Sequence, residues 1–180
     1  MKRDDIEKII ETARRAGQIP NLSKFDLAEI DLSGINLHRA YLSGANLRGV
    51  NLTGANLGWA YLREADLSQA NLNRVNLNSA NLFRANLHQA NLNEADLRRS
   101  NLRGANLSQA YLFRVNLRGA NMFRTNLVHA DLTEATMIGA NTSGADFSFA
   151  NLTEANITQE QLSIISSLNQ TIMPNGVRRS

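Results

Sequence analysis

Residues 80–99 read ANLFRANLHQANLNEADLRR, and this stretch decides the fold because one five-residue pattern fills it four times. Each unit has alanine or a similar small residue, then asparagine or aspartate, then leucine, then two variable residues. The pattern continues in both directions without an insertion from Pro20 to Gln159, which makes 28 units. Leucine occupies the centre of 23 units, Asn or Asp precedes the centre in 24, and alanine lies two residues before it in 19. A repeat of this regularity determines the architecture before any single residue does.

A period of five residues matches neither an α-helix, with about 3.6 residues per turn, nor a strand, with a period of about two. It predicts a short extended segment followed by a corner. In the extended segment, the centre and the residue two before it point inward, and the residues beside the centre point outward. The second residue after the centre turns the corner, and a type II turn there requires positive φ, which glycine adopts cheaply. Eight glycines occupy this position: Gly34, Gly44, Gly49, Gly54, Gly104, Gly119, Gly139 and Gly144.

The units resemble the consensus of the pentapeptide-repeat family, A-(N/D)-L-x-x, over about 140 of the 180 residues. The resemblance implies an all-β solenoid, a right-handed quadrilateral β-helix with four pentapeptides per coil and one on each side. Tyr41 and Tyr61 lie 20 residues apart, as do Glu134 and Glu154, in keeping with such a coil. The 28 units would then form about seven coils, a rod roughly 34 Å tall. We interpret the repeated asparagines as scaffold residues that hydrogen-bond to the backbone at the corners.

Both ends of a solenoid expose apolar cross-sections and unpaired edges, so we expect short helical caps there. The apolar spacing of Ile6, Ile9, Ile10 and Ala13 predicts an amphipathic helix from Asp4 to Ala16. We therefore divide the chain into a capping helix in residues 1–19, an uninterrupted repeat β-helix in 20–159, and a C-terminal cap and tail in 160–180.

The C-terminal boundary rests on a capping box, Thr158 to Gln161, which predicts a short helix to about Ser167. Residues 171–176 are expected to form a last extended piece and a turn. The alternative to two caps is that one apolar end face forms a dimer, and a monomer is favoured.

The composition gives no support for catalysis. The chain has no cysteine, which excludes disulfides, thiol nucleophiles and thiolate metal sites. His38, His88 and His129 do not converge under a four-unit coil, and phosphate-loop and hydrolase motifs are absent. We predict a non-enzymatic protein without catalytic, cofactor-binding or metal-binding residues. The charged N-terminus and the lack of a long apolar run favour a cytoplasmic protein without membrane contact.

Charge and aromatic residues together indicate a candidate interaction surface. Eight arginines and two acids lie between Arg74 and His129, whereas Ala130 to Asn156 contain four acids and no base. A coil of four units would place four arginines on one side with two phenylalanines between them, and interfaces are enriched in both residue types. The alternative is an ordinary solvated face. The candidate residues are Arg63, Phe83, Arg84, Arg103, Phe123 and Arg124.

Three functions fit a rod of this kind. The first is a rigid scaffold for protein–protein interaction with an unidentified protein partner. The second is mimicry of DNA to inhibit DNA gyrase or another topoisomerase, which the family resemblance implies for some members. The formal charge of +3 argues against it, because such mimics are acidic. The third is weak, non-specific nucleic-acid binding through the central basic band.

Overall fold

The computed structural model describes residues 2–179, and the repeats form a solenoid of the β-helix type. Parallel bridges join residues 20 apart, from Asn21–Tyr41 to Thr136–Asn156, so that one turn of the solenoid takes four units. Each unit contributes one bridge residue directly before the centre, and each unit except the last, residues 155–159, has a two-residue turn directly after it. The elements longer than a single bridge residue within 2–179 are two helices, α1 (Arg3–Arg15) and α2 (Gln159–Ser163).

Hydrogen bonds between successive turns of the chain repeat in the same way at each unit. The Leu82 N–H donates to the Asn101 carbonyl at 2.8 Å, and the Asn101 N–H donates to the Ala80 carbonyl at 2.9 Å. A third bond, from the Ala85 N–H to the Leu82 carbonyl at 3.0 Å, closes the corner. The backbone polar groups are thus paired from turn to turn, and residues in equivalent units stack in columns.

The corner residue has positive φ, as the sequence predicted, and it is most often not glycine. Glycines such as Gly104 have φ near 65°, but Arg84 and Trp59 occupy the same position with φ of 54° and 60°. A left-handed conformation costs a residue with a side chain about 1 to 2 kcal/mol. The ladder on both sides of each corner supplies enough hydrogen bonds to impose it.

Within the repeats, the hydrophobic core consists of the inward positions, and Ile6, Ile10, Leu162 and Leu168 of the end segments extend it. Central residues such as Leu82 and Leu87 are fully buried, and Ala80 and Ala85 beside them are 1% exposed. The predicted alternation is therefore confirmed.

The asparagines form ladders along the outside of the bridges. The side-chain oxygen of Asn86 accepts from the His88 N–H at 3.3 Å, and its amide donates to Asp66 at 3.0 Å in the turn before. Asn106 continues the ladder by donating to Asn86 at 3.2 Å. These contacts confirm that the repeated asparagine is a scaffold residue.

Helix α1 covers the N-terminal end of the solenoid. It begins and ends one residue earlier than predicted, and it buries Ile6 completely and Ile10 almost completely against the core. The first turn has carbonyl groups that no earlier turn can pair. Arg14 donates to the Asn36 carbonyl at 2.7 Å, and Arg3 donates to the Ser33 carbonyl at 3.2 Å. The helix thus covers the apolar cross-section and also satisfies part of the edge.

Helix α2 is shorter than the sequence predicted. Thr158 and Gln161 form the expected capping box, but the helix ends at Ser163 rather than near Ser167. The chain returns to the ladder there: the Ser166 N–H donates to the Ala145 carbonyl at 2.9 Å, and Ser167 bridges Asp146. Pairing with an open ladder replaces the next helical turn.

Candidate interaction surface

The six predicted residues lie together in one column of corners, which we call the arginine column. They occupy the two positions after the centres Leu62, Leu82, Leu102 and Met122, in four successive turns. The spacing follows from the bridges between residues 20 apart. Nothing beyond these positions and the repeat is needed to bring them together.

The two phenylalanines are covered by arginines rather than fully exposed. Phe83 is half-buried, with the guanidinium carbons of Arg63 and Arg84 at 5.0 and 5.1 Å from its ring centre. Phe123 has the same arrangement two turns later: Arg103 lies 5.2 Å and Arg124 5.1 Å from its ring centre. Each phenylalanine therefore supports two flat cations at cation–π distance.

Glycines in the column lie next to the stems of two arginines. A Cβ atom at Gly104 would lie 3.6 Å from Cγ of Arg84, and one at Gly144 would lie 3.2 Å from Cγ of Arg124. Gly144 therefore leaves room for the stem of Arg124, whereas a Cβ atom at Gly104 would meet Arg84 at an ordinary contact distance. This packing orients the guanidinium groups before any partner arrives.

Most of the guanidinium groups in the arginine column have N–H edges that no carboxylate among residues 2–179 contacts. Arg63 contacts Glu64 at 3.2 Å, and within residues 2–179 no ion pair forms at Arg84, Arg103 or Arg124. Arg114 provides the contrast, because it lies 4.8 Å from the Phe113 ring centre and also contacts Glu134 at 2.6 Å. The Arg–Phe pair alone is thus a recurring packing device, and the free edges distinguish the arginine column.

The side of the solenoid next to this column carries further aromatic residues. The 20-residue spacing of the two tyrosines predicts that they stack, whereas sequence reasoning missed Trp59. Tyr41 and Tyr61 lie in the bridge positions of this side, with ring centres 5.0 Å apart and planes tilted by 40°. Trp59 lies at the bordering corner and is 59% exposed. The spacing of Trp59 in the sequence indicates this position, because Trp59 lies two residues before Tyr61 and Tyr61 is the next outward position of the same segment. We call this side the tyrosine side; its bridge residues are Asn21, Tyr41, Tyr61, Asn81, Asn101, Asn121 and Asn141.

Charge is divided unequally around the solenoid. The two corner columns that border the tyrosine side hold nine basic residues and one acidic residue: Lys24, Arg39, Arg63, Glu64, Arg84, Arg98, Arg99, Arg103, Arg118 and Arg124. The other two corner columns hold three basic and four acidic residues: Glu29, Arg48, Arg74, Glu94, Arg114, Glu134 and Glu154. A modest total charge therefore conceals one strongly basic side.

Several carboxylates away from the tyrosine side already have cationic partners. A side-chain hydrogen bond from Arg74 holds the pKa of Glu94 below its usual value, and Arg98 does the same for Asp96. The reciprocal contacts raise the pKa of Arg74 and Arg98. These pairs leave the arginine column unaffected, but the contact with Asp96 neutralises Arg98, which belongs to the other column that borders the tyrosine side.

The histidines have separate local roles. His88 Nδ1 lies 2.9 Å from Ser108 Oγ, His129 stacks on Phe149 at 4.8 Å, and His38 lies on another column. In residues 2–179, no three His, Asp or Glu side chains come together as metal ligands would. Both helices within that range are also too short and too polar to span a bilayer.

Comparison with known sequences identifies one family. The sequence model of pentapeptide repeats matches in 8 copies, over residues 21–54, 51–89, 60–99, 80–119, 90–127 and 130–159. No curated protein matches the chain.

Two solved structures illustrate the structural likeness. HetL, a pentapeptide repeat protein involved in heterocyst differentiation regulation in the cyanobacterium Nostoc sp. strain PCC 7120, is 28% identical, with 99% of this chain and 100% of HetL covered and a TM-score of 0.47. Trypsin-treated QnrB1, a plasmid-mediated fluoroquinolone resistance protein, is 22% identical, with 86% of this chain and 82% of QnrB1 covered and a TM-score of 0.65. The likeness to QnrB1 at this identity concerns the fold alone.

Proposed function

The chain belongs to the pentapeptide-repeat family, and we propose that it is a rigid, non-enzymatic scaffold that binds a protein partner through its arginine column. The observation that carries this proposal is the pair of Arg–Phe–Arg stacks around Phe83 and Phe123, in which Arg84, Arg103 and Arg124 form no ion pair among residues 2–179. Arginine and aromatic residues are the types most enriched where proteins bind one another.

Preorganisation supports a binding role for these arginines. An arginine usually loses much side-chain freedom when it binds a partner, and that loss weakens the complex. Here the ring of Phe83 already restricts Arg84, whose guanidinium carbon lies 5.1 Å from the ring centre. A carboxylate that meets it can form paired hydrogen bonds at a lower entropic cost.

The finer architecture is part of the same proposal. We infer a right-handed, four-sided rod of about seven coils, because four five-residue units separate each bridged pair. Residues 1–19 and 160–180 act as its caps, and residues 20–159 form the rod. A crystal structure would test the handedness and the number of coils directly.

Gyrase mimicry and nucleic-acid binding remain the alternatives. A DNA mimic needs an acidic rod, whereas the tyrosine side is bordered by nine basic residues. Direct nucleic-acid binding would show a steep loss of affinity with salt. A supercoiling assay and a DNA titration at low salt test these two alternatives.

A pull-down from a lysate of the native host tests the proposal with two charge-matched variants. Arg84→Glu with Arg124→Glu changes the arginine column, and Arg48→Glu with Arg74→Glu changes other corners by the same charge. All four side chains are exposed, so both variants should fold, which circular dichroism checks. We expect one or more proteins to bind the native chain and the control variant but not the arginine-column variant. Identical captures by both variants would contradict the proposal.

A further inference from the structure

The segment Trp59–Arg63 crosses the tyrosine side and joins its two bordering columns. Ala60 and Leu62 are fully buried, so that Trp59, Tyr61 and Arg63 occupy successive outward positions. Residues 60–62 form the straight part of this unit, so Trp59 and Arg63 lie at its two ends with Tyr61 between them. The aromatic residues and the arginine column therefore form one continuous surface.

Exposed aromatic area is concentrated at this place. Trp59 is 59% exposed, Tyr61 43% and Tyr41 37%, and Trp59 holds a left-handed backbone conformation as well. Gly58 is buried, and a Cβ atom there would lie 3.2 Å from Nδ1 of His38. The histidine ring can lie against the backbone for that reason, and with Arg39 and Trp59 it lines a small cleft. Such a patch is typical of the central contacts of protein interfaces.

We propose that the tyrosine side binds an extended, acidic segment of a protein partner, whose apolar residue packs against Trp59 and Tyr61. Carboxylates of the segment then meet the arginine edges of the two bordering columns. This inference rests on the proposed scaffold function and specifies the chemistry of the partner. Of the nine basic residues at the borders, Arg63 and Arg98 contact Glu64 and Asp96, and the other seven form no ion pair among residues 2–179. These seven provide the charge complementarity.

The ring geometry favours an acidic protein over a nucleic acid. Single-stranded nucleic acids bind by stacking bases on open aromatic faces. Guanidinium groups cover the rings of Phe83 and Phe123, and Tyr41 and Tyr61 lie against each other at 5.0 Å. The ring edges of Tyr41 and Tyr61 remain for apolar contacts, and their hydroxyl groups remain for hydrogen bonds. Trp59 alone cannot provide a row of stacking platforms.

A second copy of the chain is a weaker occupant than an acidic segment. Two of the four acids on the other corner columns already have cationic partners: Glu94 contacts Arg74, and Glu134 contacts Arg114. Asp66 accepts hydrogen bonds within an asparagine ladder. An isolated acidic segment brings carboxylates without such competition.

Trp59 is the chain's one tryptophan, so its fluorescence reports binding at this site in the native protein. The probe is a synthetic peptide of about ten residues, about 33 Å when extended, made of glutamates with two leucines at one end. Comparison probes are an all-glutamate peptide, a lysine peptide with the same leucines, and a single-stranded oligonucleotide. We expect the leucine-tipped acidic peptide to change the Trp59 emission and to bind most tightly, with an affinity that falls as salt is added.

Labelled-peptide anisotropy then compares two aromatic double variants. Trp59→Ala with Tyr61→Ala should lower the affinity about tenfold or more, as loss of a central contact does. Tyr111→Ala with Phe149→Ala removes two aromatic residues that are 56% and 45% exposed on other parts of the solenoid, and it should leave the affinity unchanged. Circular dichroism and light scattering verify that both variants are folded and have the same mass.

The outcomes separate this inference from the scaffold function. Equal affinities of the two aromatic variants, tighter binding of the oligonucleotide, or no binding of the acidic peptide at millimolar concentration would overturn the acidic-segment proposal. A concentration-dependent dimer that the peptide does not dissociate would overturn it in favour of a second copy. The host-lysate pull-down with the arginine variants tests the scaffold function independently of all these results.

Discussion

Replacement of Ser100 by alanine is expected to stabilise the protein, although it removes a polar group from the core. Ser100 occupies the inward position that is alanine in the turns before and after it, at Ala80 and Ala120. It is 1% exposed, and its hydroxyl has no hydrogen-bond partner among residues 2–179. A buried polar group without a partner costs about 1 to 3 kcal/mol.

Alanine removes this cost and leaves the backbone ladder unchanged. Its methyl group fits a position that the same column fills with alanine one turn earlier and one turn later. We expect the free energy of unfolding to rise by about 1 to 2 kcal/mol. The increase lies in the lower part of the range because a few van der Waals contacts of the hydroxyl are lost. For a chain of this size such a gain raises Tm by about 2 to 8 °C.

Thr125 is the matched control, since it is equally buried at the equivalent position of another unit. Its hydroxyl donates to the Leu102 carbonyl at 2.9 Å. Thr125→Val keeps the shape and removes this bond, so it should lower the stability by about 1 kcal/mol. Differential scanning calorimetry of both variants at neutral pH gives the two signs directly. A Tm of Ser100→Ala at or below that of the native chain would refute the reasoning.

Three further predictions concern the ends, the corners and the charges. Ile6→Ala should cost about 2 to 5 kcal/mol locally, because Ile6 is fully buried under α1, and hydrogen exchange should accelerate in the first turn more than in the middle of the solenoid. Glu154→Gly should raise the stability by about 1 kcal/mol in thermal unfolding, since Glu154 has φ of 58° and glycine removes that strain. A side-chain hydrogen bond from Arg98 lowers the pKa of Asp96 in the folded state. The ionised Asp96 carboxylate therefore stabilises the fold above the usual carboxyl pKa of about 4, and this stabilisation is lost as the pH falls through the lower folded pKa. Tm measured between pH 7 and pH 2 should therefore fall less steeply in Asp96→Asn than in the native chain, and an equal fall would contradict the assignment.

The pattern of the repeats predicted the solenoid and the six residues of the arginine column because every fifth residue has the same environment. A period fixes which side chains point inward and which stack, and Arg84 and Arg124 needed only their positions in it. The repeat alone does not show which guanidinium groups in the arginine column form ion pairs. Whether a guanidinium group meets a carboxylate depends on rotamers across three neighbouring turns, as the contrast between Arg84 and Arg114 shows.

The length of α2 also depended on tertiary contacts. The capping box at Thr158 identified its start, but the open ladder at Ala145 and Asp146 competes for the residues that follow Ser163. A local propensity for helix is worth little against several inter-turn hydrogen bonds. Sequence signals near the end of a solenoid therefore show where a helix begins better than where it stops.

By itself, the sequence determined the class of fold, the inward and outward positions, and the scaffold role of asparagine, because these follow from a repeat of five residues. Only the tertiary structure decided that Trp59 is 59% exposed beside a small cleft, and that Phe83 lies beneath two guanidinium groups. The physical reason is distance: the repeat specifies where each Cα lies, whereas a surface is made by side chains several ångströms long. The directions of these side chains depend on the glycines, aromatic rings and charged groups in the turns above and below.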